Sequence, residues 1–125
     1  MPSDIKIYKI GDFIKKTASG AIDRNLSIGI VHELSIAANY HENHNIMLDL
    51  RETDLIANMG DLIQIALEFT RHKEIFKNKI AVLIPDTEER RELAKHFKAC
   101  MDIQGFEYQQ FTDFESAIEW LSVVS

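Results

Sequence analysis

Two histidines stand close enough in the sequence to share a metal ion, and they are the first candidates for chemistry. His41 and His44 are three positions apart, so both side chains would lie on one turn of a helix. The sequence offers no third ligand beside them, and His-Glu-Asn-His differs from the His-Glu-x-x-His of zinc proteases. We therefore interpret the pair as the solvated end of a helix, and we predict no metal and no cofactor.

The sequence also contains no complete motif for nucleophilic catalysis or for nucleotide binding. Cys100 lies between Phe97 and Met101 on an apolar helical stripe, which is typical of a buried packing thiol. No serine sits in a Gly-x-Ser-x-Gly elbow, and the five glycines are too scattered to form a phosphate-binding loop. The sequence therefore predicts no catalytic residue. An enzyme whose site is assembled from distant residues stays open as an alternative.

Asp49 ends a short apolar strand, which is where receiver domains carry their phosphoacceptor aspartate. Receivers also need an acidic pair after the first strand and a lysine after a later one. Here Lys9 follows the first strand and Pro85 follows Ile84. The resemblance to a receiver therefore stops at Asp49.

The N-terminal part of the chain predicts a hairpin followed by a helix. Residues 5–10 alternate with period 2 and meet residues 13–17 across Gly11-Asp12, which can supply a tight turn. Ser19-Gly20 begins a polar break, and a helical apolar pattern then runs from about 24 to 42. We expect two antiparallel strands and one amphipathic helix.

Two short apolar runs, 46–50 and 80–84, predict buried strands joined by a helix that begins near Asn58. Such a βαβ unit has a right-handed crossover and parallel strands. The predicted buried stripe of this helix consists of Met59, Leu62, Ile63, Ala66 and Thr70. Ile65 and Phe69 fall off that stripe and are candidates for contact with another molecule. The alternative is that both pack internally.

The C-terminal third predicts two more helices around one strand. Asp86 and Glu89 fit a capping box, as do Thr112 and Glu115. Between them, residues 107–111 have the mixed polarity of a strand near a sheet edge. The fold class is therefore α/β, a single domain spanning 1–125 with a five-stranded mixed sheet and about four helices.

The composition of the chain restricts the kinds of partner that it can bind. The formal net charge of -6 opposes binding to a phosphate backbone, so we expect no nucleic-acid partner. The longest clean apolar run, Ile80 to Ile84, is far short of a membrane span. The N-terminus carries no secretory signal, and a lone Cys100 cannot form an internal disulfide. These features predict a cytoplasmic protein.

The segment Leu48-Asp49-Leu50 through Ala57-Asn58-Met59-Gly60 resembles the STAS (SpoIIAA) pattern, in which a Leu-Asp-Leu strand leads into Asp-Ser-Ser-Gly at a helix start. The run from Phe111 to Leu121 resembles the ending of the SpoIIAA-like branch related to STAS and CRAL-TRIO domains. Regulatory members of the family switch protein partners when a serine of that motif is phosphorylated. Here Asn58 and Met59 replace both serines, although Asn58 still suits a helix N-cap.

The resemblance implies a non-enzymatic regulatory module that binds another protein or a second copy of itself as a homodimer. The region from Thr53 to Leu62 is the expected contact. The alternative, from the CRAL-TRIO side, is a carrier of an apolar small molecule or lipid. The candidate partner- or ligand-binding residues are Thr53, Asn58, Met59, Gly60, Asp61, Leu62, Ile65 and Phe69.

Overall fold

A computed structural model describes residues 3–8 and 13–123 of the chain. The strands are β1 (Ser3–Tyr8), β2 (Phe13–Asp23), β3 (Asn45–Ile56), β4 (Ile80–Leu83) and β5 (Tyr108–Phe111). The helices are α1 (Arg24–Tyr40), α2 (Met59–Arg71), α3 (Glu88–Ile103) and α4 (Phe114–Ser122). The predicted turn at Gly11-Asp12 lies outside the described residues.

The strands lie side by side in chain order, β1-β2-β3-β4-β5. The four strands from β2 to β5 are parallel, and β1 pairs with β2 in the antiparallel sense. The predicted βαβ unit is confirmed, because Ile46 is paired with Ile80 and Asp49 with Leu83. β5 forms the edge of the sheet beyond β4, as its mixed polarity predicted.

Helices cover both faces of this sheet, so the chain is an α/β protein with a core on each side. The larger core lies under α1, α2 and α3, where Leu34, Leu62 and Ala94 meet strand residues such as Ile80. The smaller core lies under α4, where Ala117 and Leu121 meet Met47 and Leu83. Burial of these apolar surfaces is the main favourable contribution to folding.

β2 and β3 are longer than predicted, because they pair with each other well beyond the apolar runs. Ser19-Gly20 was predicted to begin a polar break, and the predicted strand run covered only 46–50, yet residues 19–20 and 51–56 belong to strands. Between the pairs Thr17↔Asp49 and Ser19↔Glu52, β3 holds one residue more than β2, which is a β-bulge. The bulge reverses the alternation of β3, so that no single period-2 pattern runs through the strand.

All four helices begin at a side-chain cap, and two of these caps differ by one residue from the prediction. The N-caps are Asp23, Asn58, Thr87 and Asp113. Thr87 replaces the predicted Asp86, and Asp113 replaces the predicted Thr112. In each case the observed residue accepts a hydrogen bond from the backbone N–H three positions on. Neighbouring Asp and Thr are both good caps, so local sequence did not choose between them.

Candidate functional site

The turn between β3 and α2 is held by a reciprocal capping box. The Asn58 side-chain oxygen accepts from the Asp61 backbone N–H at 2.8 Å, and the Asp61 carboxylate accepts from the Asn58 backbone N–H at 3.0 Å. Only residues 57 and 58 lie between the strand and the helix. Asn58 is exposed, and its predicted role as a helix N-cap is confirmed.

Beside this turn, α2 carries a stripe of exposed apolar side chains. Met59, Ile63 and Leu67 repeat every four residues, so they are neighbours along one face of the helix. Each of the three is more than two fifths exposed, and Ile56 just before the turn is 64% exposed. We call these four residues the α2 stripe.

The predicted buried face of α2 is confirmed at Leu62 and Ala66 but is wrong at Met59 and Ile63. Ile65 and Phe69, which the periodicity placed off the stripe, are buried at 6% and 2% exposure, whereas Met59 and Ile63 face solvent. Phe69 packs against the rings of Phe76, Phe97 and Phe106. Ile65 and Phe69 thus follow the internal-packing alternative.

The eight candidate residues separate into a surface group and an interior group. Asn58, Met59 and Gly60 are exposed, Asp61 is partly buried, and Thr53, Leu62, Ile65 and Phe69 are buried. The surface group lies at the start of α2 and adjoins the stripe. The interior group faces α3 or a largely apolar cavity, so the candidates do not form one continuous site.

Thr53 is held by a buried arginine of α3. The Arg90 guanidinium donates to the Thr53 backbone oxygen at 2.7 Å and to its hydroxyl at 3.2 Å, while that hydroxyl donates to the backbone oxygen of Leu50. Burial lowers the pKa of Arg90, although Asp54 and Glu89 partly offset this effect. Thr53 is therefore a structural residue of β3 and is not offered to a partner at the surface.

A cavity of about 90 Å³ lies between the sheet and the three helices that cover this face. Its walls are mostly apolar and come from β2 to β5 and from α1, α2 and α3, including Leu48, Val82, Leu62, Ile65, Phe69 and Phe97. Four polar residues also line it: Ser27, Arg90, Tyr108 and Gln110. The arrangement is an apolar chamber with a few hydrogen-bonding groups, which is the general character of small-molecule sites.

The opposite face of the sheet carries a compact ion pair. Arg51 donates to the Asp49 carboxylate from its backbone N–H at 3.1 Å, from Nε at 3.0 Å and from Nη2 at 2.9 Å, and Lys15 lies 3.9 Å away. Burial raises the pKa of Asp49, but the hydrogen bonds and charge of Arg51 outweigh it, and the pKa lies below its usual value. The Asp49 carboxylate is therefore already bound and neutralised by cationic groups of its own chain.

His41 and His44 do come together, with ring centroids 5.1 Å apart. His41 is the C-cap residue of α1, as expected for the end of a helix, and His44 is partly buried. Within residues 3–8 and 13–123, no group of three or more His, Cys, Asp or Glu side chains is placed to hold a metal ion. Cys100 is partly buried beside the larger core.

Sequence reasoning missed the cavity-lining polar residues, and of the α2 stripe it named only Met59 as a candidate contact residue. Ile56 and Leu67 could not be recognised from the sequence as members of an exposed apolar stripe, because single apolar residues are common on protein surfaces. Arg90 and Ser27 were not among the predicted site residues. Neither residue has a neighbour in sequence that would have revealed its burial.

The fold is shared with two solved structures. One is an uncharacterised protein of the DUF3478 family with a SpoIIAA-like fold from Shewanella loihica PV-4, with a TM-score of 0.60 and 17% identity over 96% of this chain and 92% of that chain. The other is the anti-sigma factor antagonist SpoIIAA in its unphosphorylated form, with a TM-score of 0.61 and 15% identity over 98% of this chain and 100% of that chain. The chain thus has a SpoIIAA-like fold, as the resemblance predicted.

No protein-family model and no curated protein matches the sequence. The CRAL-TRIO part of the resemblance gains no support from the two structures and stays a prediction. Among the helices of the described residues, none is both long and apolar enough to cross a membrane.

Proposed function

We propose that this chain is a non-enzymatic, STAS-type regulatory module that binds a protein partner through the α2 stripe and the adjoining Asn58 turn. The observation that carries the proposal is the stripe itself, four large exposed apolar side chains that run from the end of β3 along one face of α2. Clustered exposed apolar surface of this kind marks interaction sites more often than scattered single residues do. The SpoIIAA structure, named for an anti-sigma factor antagonist, supports a regulatory role for the fold.

The geometry of the turn suits recognition by a folded protein. The reciprocal hydrogen bonds between Asn58 and Asp61 fix the direction in which the chain enters α2. Met59 and Ile63 then stand on a regular helix, so their positions are set before a partner arrives. A preorganised surface binds with a smaller entropic cost than a flexible one.

Control by phosphorylation of this turn is not part of the proposal. Asn58 and Met59 stand where the resemblance places the family's serines, and neither carries a hydroxyl. Thr53 is the nearest hydroxyl on the N-terminal side, and it is buried and bonded to Arg90 and Leu50. We therefore propose that binding depends on the partner's concentration rather than on a phosphate at this site, and that it takes place in the cytoplasm.

The test is a charge placed in the middle of the stripe. Ile63→Lys keeps a good helix former at an exposed position, so the chain should fold while the apolar surface is interrupted. The matched control is Ile103→Lys, because Ile103 is also an exposed isoleucine but lies at the far end of α3. Folding of both variants is checked by circular dichroism and thermal unfolding.

Binding is then measured in two ways, by sedimentation of the pure chain and by affinity capture from the source cells followed by mass spectrometry. We expect Ile63→Lys to lose a self-associated species or a captured protein that Ile103→Lys and the native chain retain. Identical behaviour of the three chains in both measurements would refute the proposal. The first measurement identifies a homodimer, and the second identifies a different protein partner.

The carrier alternative rests on the apolar cavity between the sheet and the helices. Its volume of about 90 Å³ is far below the roughly 300 Å³ at which pockets for drug-sized ligands begin, so a whole lipid chain does not fit this conformation. The volume of this cavity suits a ligand smaller than a lipid chain.

A further inference from the structure

The helical part of the α2 stripe is symmetric about its middle residue. Met59 and Leu67 each lie four residues from Ile63, and all three are exposed on one face of α2. A second copy that runs antiparallel, related by a two-fold axis at Ile63, would therefore place Met59 of one chain against Leu67 of the other. Ile63 would meet its own equivalent. The spacing of the stripe thus makes this surface complementary to itself.

The end of the stripe at the start of α2 is acidic. Asp54, Glu88 and Glu89 are exposed there, and we call these three residues the acidic end. Burial lowers the pKa of Arg90, and the nearby charges of Asp54 and Glu89 oppose that shift, so both carboxylates lie close to this buried guanidinium. Asp54 is also only two residues before Ile56 in β3. The exposed charge beside the first stripe residues is therefore negative.

The other end of the stripe is basic. Arg71 lies one turn beyond Leu67 on α2, and it is exposed together with Lys73 and Lys77. We call these three cations the basic end. Glu74 is the one exposed acid in the stretch that holds them. The stripe therefore runs from a negative end to a positive end, and an antiparallel copy presents these charges in the reverse order.

These charges select the antiparallel orientation. The chain carries a formal net charge of -6, so two copies repel each other unless opposite charges meet locally. In an antiparallel pair the acidic end of each copy lies beside the basic end of the other, at two equivalent places. A parallel pair would set acid against acid and base against base. The dipoles of the two α2 helices are also opposed in the antiparallel pair, which is favourable.

We propose that the partner of the α2 stripe is a second copy of this chain, bound antiparallel about a two-fold axis at Ile63, with each acidic end against the other copy's basic end. This inference rests on the proposed function, because it names the partner of the same surface. The surface is small, and small interfaces are typical of transient complexes. The concentration of the chain itself then sets the fraction that is dimeric.

The test reverses the charge at each end separately. The acidic-end variant carries Glu88→Lys and Glu89→Lys, and the basic-end variant carries Arg71→Glu and Lys73→Glu. Each variant should raise the dissociation constant of the dimer at least about tenfold, because like charges then face each other at both contacts of the pair. Sedimentation of the full chain at concentrations up to about 1 mM measures this constant.

An equimolar mixture of the two variants is the decisive sample. The reversed acidic end of one variant is complementary to the reversed basic end of the other, so the mixture should form a heterodimer about as tightly as the native chain dimerises. The matched control is Arg91→Glu with Lys95→Glu, which changes the net charge as the basic-end variant does. Arg91 and Lys95 lie on the side of α3 that faces Gln110 and Phe111 of β5, away from α2. The control should dimerise within about threefold of the native chain.

Three results would overturn the inference: a native chain that is monomeric at about 1 mM, a dimer that Ile63→Lys or both reversals leave intact, or a mixture that does not restore association. Should a double reversal fail to fold, the single changes Glu88→Lys and Lys73→Glu repeat the test, since each alters one exposed side chain. A monomeric native chain that captures a protein, and loses it in Ile63→Lys, would refute the second copy and leave the proposed function intact. The two failures are therefore distinguishable.

Discussion

The guanidinium of Arg90 lies against Thr53 and donates to its backbone oxygen at 2.7 Å and its hydroxyl at 3.2 Å. Arg90 is in the first turn of α3, and Thr53 lies in β3 just beyond the bulge. This contact anchors the part of β3 that leads to the Asn58 turn. The surface proposed to bind a partner and the cavity beneath it therefore share one supporting residue.

Removing this anchor should destabilise the chain. We expect Arg90→Ala to lower the free energy of unfolding by about 1–3 kcal/mol, because the buried backbone oxygen and hydroxyl of Thr53 both lose their donor. Arg91→Ala is the control, since Arg91 is exposed and pairs with Asp86 at the surface, and its loss should cost less than about 1 kcal/mol. Urea denaturation measures the free energy of unfolding of both variants. Equal stabilities would contradict the role given to Arg90.

The cap at Asn58 should stabilise α2 measurably. Asn58→Ala removes the acceptor for the Asp61 backbone N–H and should lower stability by about 1 kcal/mol. Asn58→Asp keeps an acceptor at an N-cap and should stay within about 0.5 kcal/mol of the native chain. Thermal unfolding of the two variants in parallel separates the cap from other effects of substitution. An alanine variant as stable as the native chain would argue against the capping box.

The orientation of α2 can be tested with two neighbouring side chains. Phe69→Ala should lower stability by about 3–5 kcal/mol, because it empties the position among Phe76, Phe97 and Phe106. Leu67→Ala should change it by less than about 1 kcal/mol, since Leu67 is in the α2 stripe and faces solvent. Chemical denaturation provides both values. The reverse order would show that Leu67, and not Phe69, faces the core.

The ion pair of Asp49 predicts a loss of stability in acid. The pKa of Asp49 in the folded chain lies below that of an unfolded aspartate, which is about 3.9. A carboxyl with a lowered folded pKa stabilises the protein above the unfolded pKa and loses this contribution as the pH falls through the folded pKa. We therefore expect the difference in unfolding free energy between the native chain and Asp49→Asn to be largest near pH 7 and to shrink below about pH 4.

Arg51→Ala is the complementary change, and it should raise the pKa of the Asp49 carboxyl, because Arg51 supplies the hydrogen bonds and charge that lower it. NMR titration of the Asp49 side chain measures this shift directly. An unchanged pKa in Arg51→Ala would mean that another group lowers it. Lys15, at 3.9 Å, is the nearest alternative.

Much of the architecture was readable from local sequence. The apolar runs at 46–50 and 80–84 predicted two parallel strands, and they pair as expected. Asn58 was recognised as a helix start because capping depends on a side chain and a backbone N–H only three residues apart. Signals of this kind are contained within one turn of chain, so the sequence alone determines them.

The tertiary structure decided what depends on distant partners. β3 extends beyond Leu50 because β2 offers it hydrogen bonds across the bulge, and no pattern within β3 announces that pairing. α2 carries large apolar residues around most of its circumference, so its own periodicity could not choose between Ile63 and Ile65 for the core. Packing of α2 against the sheet and α3 determines that Ile65 is buried and Ile63 is exposed. The same packing buried Arg90 and Ser27 beside one cavity, because residues far apart in sequence meet only when the helices close over the sheet.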